Sequence, residues 1–140
     1  MRRYETIAQI FHGQASYRGG EPFPIRWLVE RLNLRVSLLP IDILCANGAI
    51  LPKLGLIGIA TELSPAWARW VLAHEIGHLF SPRECDADAF AAELLLPRWC
   101  RDSRCYDLAS RYRIPELVVD SICNGSFLEL PLHQTEPMVA

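Results

Sequence analysis

The chain has 140 residues, 51% of them hydrophobic and 21% charged, which provides for one domain with its own core and excludes a disordered chain. Lysine and arginine total 14 against 16 aspartate and glutamate, a net charge of −2 that excludes bulk attraction to nucleic acid as the basis of function. No apolar run reaches the roughly 18–20 residues that span a bilayer, and Tyr4-Glu5-Thr6 stands where a signal segment would be apolar, so a cytoplasmic protein with no membrane partner is expected.

The elements follow in chain order. A short helix is expected from Tyr4 to Phe11, followed by a loose Gly19-Gly20. Pro24 starts a second helix that runs through Leu32 and stops at Asn33. Arg35 to Leu39 alternates like a half-buried strand, and Gly48 to Leu51 and Leu54 to Ala60 are two further short strands. Ser64-Pro65 pairs an N-cap serine with a proline at the first helical position, opening a helix to about Leu79 or Phe80. Ser81-Pro82 repeats the signal at once and opens a helix to about Leu95, so the two must fold back as a hairpin. Shorter helices follow at Asp102–Tyr112 and Pro115–Cys123, with Asn124-Gly125 as a stop. The fold class is α+β: a small, about three-stranded sheet packed on the helix hairpin with flanking helices. A single domain over 1–140 is expected, its core at about 22–125, with 1–20 and 134–140 loosely attached.

The five cysteines, at 45, 85, 100, 105 and 123, form no C-x-x-C pair and read as reduced thiols; all but Cys85 are expected as small core residues. Residues 98–113 carry five arginines against two aspartates, which reads as the solvated face of a helix. The spacing of Asp107 to Cys123 is that of a helix-turn-helix, yet its second helix is short and mostly apolar, a poor reader of a major groove. His12 and His133 are isolated and carry no assignment.

The centre of the sequence is His74-Glu75-Ile76-Gly77-His78. On a helix, positions i and i+4 share a face about 6 Å apart, so both imidazoles can converge on one ion. Glu75 is then close enough to act on a water without binding the metal. Chance produces such a pentad less than about one time in a hundred in a chain of this composition. Gly77 weakens the helix by about 1 kcal/mol relative to alanine, a cost that close approach of another backbone would explain. A catalytic site needs a third protein ligand and an open fourth position. Across the hairpin, Glu84 sits at the level of His78 and Asp88 at the level of His74, so Glu84 can bind the ion while Asp88 accepts the free N–H of a ligand histidine. Ser81-Pro82-Arg83-Glu84 is also a capping box, in which Glu84 would bond the backbone of Ser81, and Cys85 is a rival thiolate ligand; the ligand reading of Glu84 is preferred because two histidines without a third ligand make a poor site. Zinc suits the donors, as do other divalent ions.

The run from Leu72 to Pro97 resembles the ImmA/IrrE family of gluzincin-type metallopeptidases, which pairs an HExxH helix with a second helix of fixed pattern. The positions of that pattern are met by Glu84, Ala87, Asp88, Phe90, Ala91, Leu94, Leu95 and Pro97. The flanks are loosely similar over about 22–125, and the five residues between His78 and Glu84 are fewer than is usual in the family. The resemblance implies a minimal zincin-like zinc peptidase with His74, His78 and Glu84 as ligands and Glu75 as general base. It also implies a protein substrate, a helix-turn-helix transcriptional repressor in many relatives. Two other functions fit the same residues: a zinc-binding regulator that docks to a partner without turnover, and a DNA-binding module with structural zinc. A structural site is closed by four protein ligands and has no use for a base, so Glu75 favours the enzyme. The substrate would lie extended, and two readings of the strand at Leu54–Ala60 stay open: it pairs with the substrate, or it is an interior strand with both edges occupied. Tyr106, Arg111, Tyr112, Arg113 and His133 are the candidates for stabilising an oxyanion.

Overall fold

The computed structural model describes residues 3–125. Helices α1 (Arg3–Gln14) and α2 (Ile25–Arg31) precede strand β1 (Arg35–Leu39). A short α3 (Ile41–Leu44) leads to β2 (Gly48–Leu51), and a 3-10 turn at Pro52–Leu54 leads to β3 (Leu56–Ala60). The helices α4 (Pro65–Gly77), α5 (Glu84–Leu95), α6 (Cys105–Tyr112) and α7 (Glu116–Asn124) follow, with a 3-10 turn at Arg98–Cys100. The expected α+β class, a three-stranded sheet on a helix hairpin, is therefore met.

The sheet order is β1-β3-β2. β1 runs parallel to β3, with Val36 opposite Ile57 and Leu38 opposite Ile59. β2 runs antiparallel to β3, with Gly48 opposite Ile59. Of the two readings of this strand the interior one holds: β3 is the central strand, and both of its edges are paired. Its nearly continuous apolar sequence reflects that position, since Ile57, Ile59 and Ala60 are all buried. The third strand is also shorter than expected, because Pro52-Lys53-Leu54 forms the turn and Gly55 takes a left-handed conformation (φ 60°) before it.

α4 and α5 pack back to back in the core, and the expected close approach lies at Gly77. A Cβ there would stand 2.9 Å from Ala87 Cα and 3.0 Å from Ala87 O. Only glycine permits the two helix backbones to come so near. Phe11, Phe80 and Phe90 close the hairpin with ring centroids 5.4–6.2 Å apart. Phe11 comes from α1, whose Ala8 is also fully buried, so the N-terminal helix is part of the core rather than a loose attachment. Its amphipathic pattern conceals this, for Ile10 is exposed while Glu5 and His12 are buried. His12 is a core histidine: Nε2–H donates to Leu94 O at 2.9 Å, its buried Nδ1 has no hydrogen-bond partner among the described residues, and its ring packs on Tyr17, Phe23 and Trp99. The tail at 134–140 lies outside the described residues.

Two other expectations are corrected. Of the five cysteines only Cys100 is buried, and Cys45 and Cys123 are exposed. Of the five arginines at 98–113, four are exposed as expected and Arg101 alone is largely covered, at 21% exposure. Arg98 bonds Glu5 of α1 at 2.9 Å, and Arg101 lies 3.6 Å from the buried Glu93 while its Nε donates to Leu96 O. Together they tie the turn after α5 to α1. Among the described residues no helix is long and apolar enough to cross a membrane.

Candidate metal centre

Ser64 caps α4 as its sequence requires, its hydroxyl accepting from Trp67 N at 3.3 Å, with Pro65 as the first helical residue. The helix then carries His74 and His78 on one face toward α5. Ser81-Pro82 does not repeat the pattern: α5 begins only at Glu84, with Arg83 in the extended conformation ahead of it. The reason is what Ser81 bonds. Its hydroxyl donates to Asp86 Oδ2 at 2.7 Å and accepts from Arg83 N at 3.2 Å. Its carbonyl accepts from His78 Nδ1 at 3.0 Å.

Glu84 turns toward the histidines instead of back toward Ser81. Glu84 Oε2 is 2.8 Å from His74 Nε2, and Glu84 Oε1 is 3.3 Å from His78 Nε2. The two Nε2 atoms are themselves 3.1 Å apart. His74, His78 and Glu84 thus form a group whose ligand atoms all lie within 4.8 Å of one another. Zn–ligand bonds of about 2.0–2.1 Å at a tetrahedral angle hold nitrogens about 3.3 Å apart, so the spacing fits a single small ion. The chemistry of the donors agrees. His74 Nδ1 is 2.7 Å from Asp88 Oδ1, and Asp88 is completely buried. With each Nδ1–H donated, to Asp88 and to Ser81 O, both Nε2 lone pairs face the same point. The structure brings together His74, His78, Glu84 and Asp88, a placement the hairpin spacing allowed. The carbonyl of Ser81 was not foreseen, because a main-chain acceptor leaves no mark in a sequence.

Cys85 stands apart from the group, its thiol 3.9 Å from Asp86 Oδ1. The Glu84 side chain is 56% exposed while that of His74 is 3% exposed, so the group is open to solvent on one side. Three protein donors and an open side describe a site with room for an exogenous ligand. Without an ion, burial opposes a charge on His74, but the bonds to Asp88 and Glu84 and the charges of Asp88 and Glu75 outweigh it, and its pKa rises to about 9.

Glu75 is buried between the histidines and β2. Burial raises its carboxyl above the ordinary range, with His74 and His78 pulling against that rise and Glu84 adding to it. The contact with β2 is made possible by Gly48, where a Cβ would fall 2.4 Å from Val71 Cγ1 and 3.2 Å from Glu75 Cγ. The sheet edge next to Glu75 is therefore β2.

Of the candidates for an oxyanion donor, Tyr112 is buried and its hydroxyl accepts from Gly20 N at 2.9 Å. Tyr106 is exposed on α6, Arg113 lines an apolar groove with Arg69, and His133 lies outside the described residues. α7, the would-be recognition helix, turns Val118, Val119 and Ile122 into the core. No protein-family model matches this chain, and no curated protein matches it.

Proposed function

We propose that this protein is a zinc-dependent endopeptidase of the ImmA/IrrE type whose substrate is a protein, a helix-turn-helix repressor above all. The observation that carries the reading is the open His74–His78–Glu84 group with a buried carboxylate, Glu75, one residue from the first ligand. His74, His78 and Glu84 would hold the ion, and Asp88 and Ser81 O would each accept an Nδ1–H and so aim the two Nε2 atoms at it. A zinc ion bound there supplies Lewis-acid polarisation of a carbonyl and acidifies a water.

The chain's own part is proton handling and positioning. Glu75 is the residue placed to act as general base, and burial raises its carboxyl above the ordinary range. It takes the proton of the attacking water and delivers it to the departing amine. An extended substrate would add to the free edge of β2, where Gly48 sets the strand against Glu75. Three donors and a base beside an open side favour turnover over a closed structural site.

The test is metal content by elemental mass spectrometry, followed by incubation of zinc-loaded protein with purified helix-turn-helix repressors and mapping of new N-termini. About one zinc per chain and new termini that vanish in Glu75→Gln are the expected results. Zinc binding with no new termini would leave the docking regulator as the better reading, and absence of zinc binding would remove both.

A further inference from the structure

The edge of the sheet away from Glu75 carries a second surface. On β1, Val36 and Leu38 share the face of the buried Ile57 and Ile59 opposite them. β1 extends past the cover that α4 gives to β3, so Val36 remains 39% and Leu38 65% exposed. Beside them runs a groove of about 670 Å³, walled by Ile25 of α2, by Ala68 and Leu72 of α4 and by Ala109 of α6. It continues past Val29 along α2 through the shared residues Ile25, Val36 and Leu72. β1 is an edge strand, and Arg35 is its only charged residue, so it carries little of what normally keeps another strand from pairing.

Two cations, Arg69 and Arg113, line the main part of this groove, while Arg26 and Glu30 line its continuation along α2. Arg69 Nη2 donates to Phe23 O, while Arg69 Nε is buried with no hydrogen-bond acceptor among the described residues. Burial lowers the pKa of Arg69; Tyr17 counters this, and the charge of Arg113 adds to the lowering. Among the described residues, neither arginine forms an ion pair with a carboxylate. Arg113 is held at the groove in a left-handed conformation, φ 57°, at the end of α6. That conformation is uncommon for a residue other than glycine or asparagine.

We infer that β1 and this groove form a docking site for an extended segment of a partner protein, apolar at alternate positions and carrying an acidic side chain. Such a segment pairs with the open edge of β1, lays every second side chain over Val36 and Leu38, and sets its carboxylate on Arg69 and Arg113. A strand satisfies three features at once, the edge amides, the alternating apolar positions and the two cations that have no carboxylate partner among the described residues. A purely apolar ligand leaves the arginines unanswered. The site uses Ala68, Arg69 and Leu72 of α4, none of them in the metal group, and lies on the opposite edge of the sheet from β2, so the inference stands whether or not the metal centre cleaves anything.

The test uses the full chain, labelled with ¹⁵N, and an acetylated, amidated heptapeptide alternating valine and serine with glutamate at both ends. A peptide with glutamine at those ends is the control. The amides of residues 36–38 and those around Arg69 and Arg113 are expected to shift, and the glutamate peptide to bind about tenfold tighter than the control. Arg113→Asn, which keeps a residue tolerant of the left-handed backbone, should abolish that preference, and Leu38→Asp on the exposed edge should abolish binding of both peptides. Equal affinities, shifts located elsewhere, or no shift at millimolar peptide would overturn the inference. So would sedimentation as a dimer that Leu38→Asp disperses, since the edge would then belong to a second copy of this chain.

Discussion

His74 Nδ1 lies 2.7 Å from Asp88 Oδ1, a contact between two almost fully buried side chains on facing helices. It fixes the ring so that Nε2 points at Glu84 and His78 Nε2. Asp88 touches none of the open surface, so its influence on an ion must pass through the imidazole. Asp88→Asn keeps the volume and removes the charge, and lost outer partners of this kind typically lower metal affinity by about 10–100-fold. Competition with a chromophoric zinc chelator measures it. An unchanged affinity would show that the aspartate serves packing alone.

Glu84→Ala separates ligand from cap. α5 starts at Glu84 rather than Ser81, and the carboxylate sits within 3.3 Å of both imidazoles, so its loss should strip the ion. A cap would show a different signature, a fall of about 1 kcal/mol in stability with metal content intact. Cys85→Ala, by contrast, should retain about one zinc per chain. Elemental mass spectrometry and thermal unfolding of the two variants distinguish these outcomes.

What the sequence could and could not disclose is visible in this hairpin. Ser64-Pro65 and Ser81-Pro82 are the same local signal, and only the first caps a helix. At Ser81 three partners from elsewhere in the hairpin, Asp86, Arg83 N and His78 Nδ1, outcompete the cap. The i, i+4 histidines were legible because helical geometry alone sets their distance. Strand order was not, since periodicity marks β2 and β3 as strands without saying which lies at an edge. The burial of α1 was hidden by its exposed Ile10 and its buried Glu5 and His12, polar side chains whose partners, Arg98 and Leu94 O, lie more than 80 residues away.

Gly77→Ala sets two effects of opposite sign against each other. Helix propensity favours alanine by about 1 kcal/mol. The new methyl, however, meets Ala87 Cα at 2.9 Å and Ala87 O at 3.0 Å, and backbone in a buried helix pair has little room to yield. Overpacking of this kind costs about 1–3 kcal/mol, so the variant should be destabilised despite its better propensity. Denaturant unfolding checks the sign. A more stable variant would mean that the two helices separate without loss.

Glu75→Gln should keep the ion and abolish cleavage, because glutamine preserves the side-chain shape but cannot take a proton. Gly48→Ala reaches the same residue from the other side: its methyl would press on Val71 and Glu75 Cγ. We expect normal zinc content in both variants and lowered turnover in the second, read as loss of kcat with mapped cleavage sites unchanged. A Glu75→Gln variant that still cleaves would remove the general-base role.

The pH dependence of the metal-free protein follows from His74. Its folded pKa is raised to about 9 from 6.5, with the charged ring held between Asp88 and Glu84. A raised pKa means that the folded state binds the proton more tightly than the unfolded chain. The resulting stability is fully present below about pH 6.5 and is lost as pH rises through about 9. Zinc demands the opposite state, since a ligand imidazole must be neutral. Below pH 9, then, metal uptake must expel the His74 proton, and zinc affinity should climb with pH over the same interval in which the metal-free protein weakens. Calorimetric titration with zinc in buffers of different ionisation enthalpy is expected to count about one proton released at pH 7. Metal uptake without proton release, together with flat stability from pH 6.5 to 9, would show that His74 is already neutral before the ion arrives.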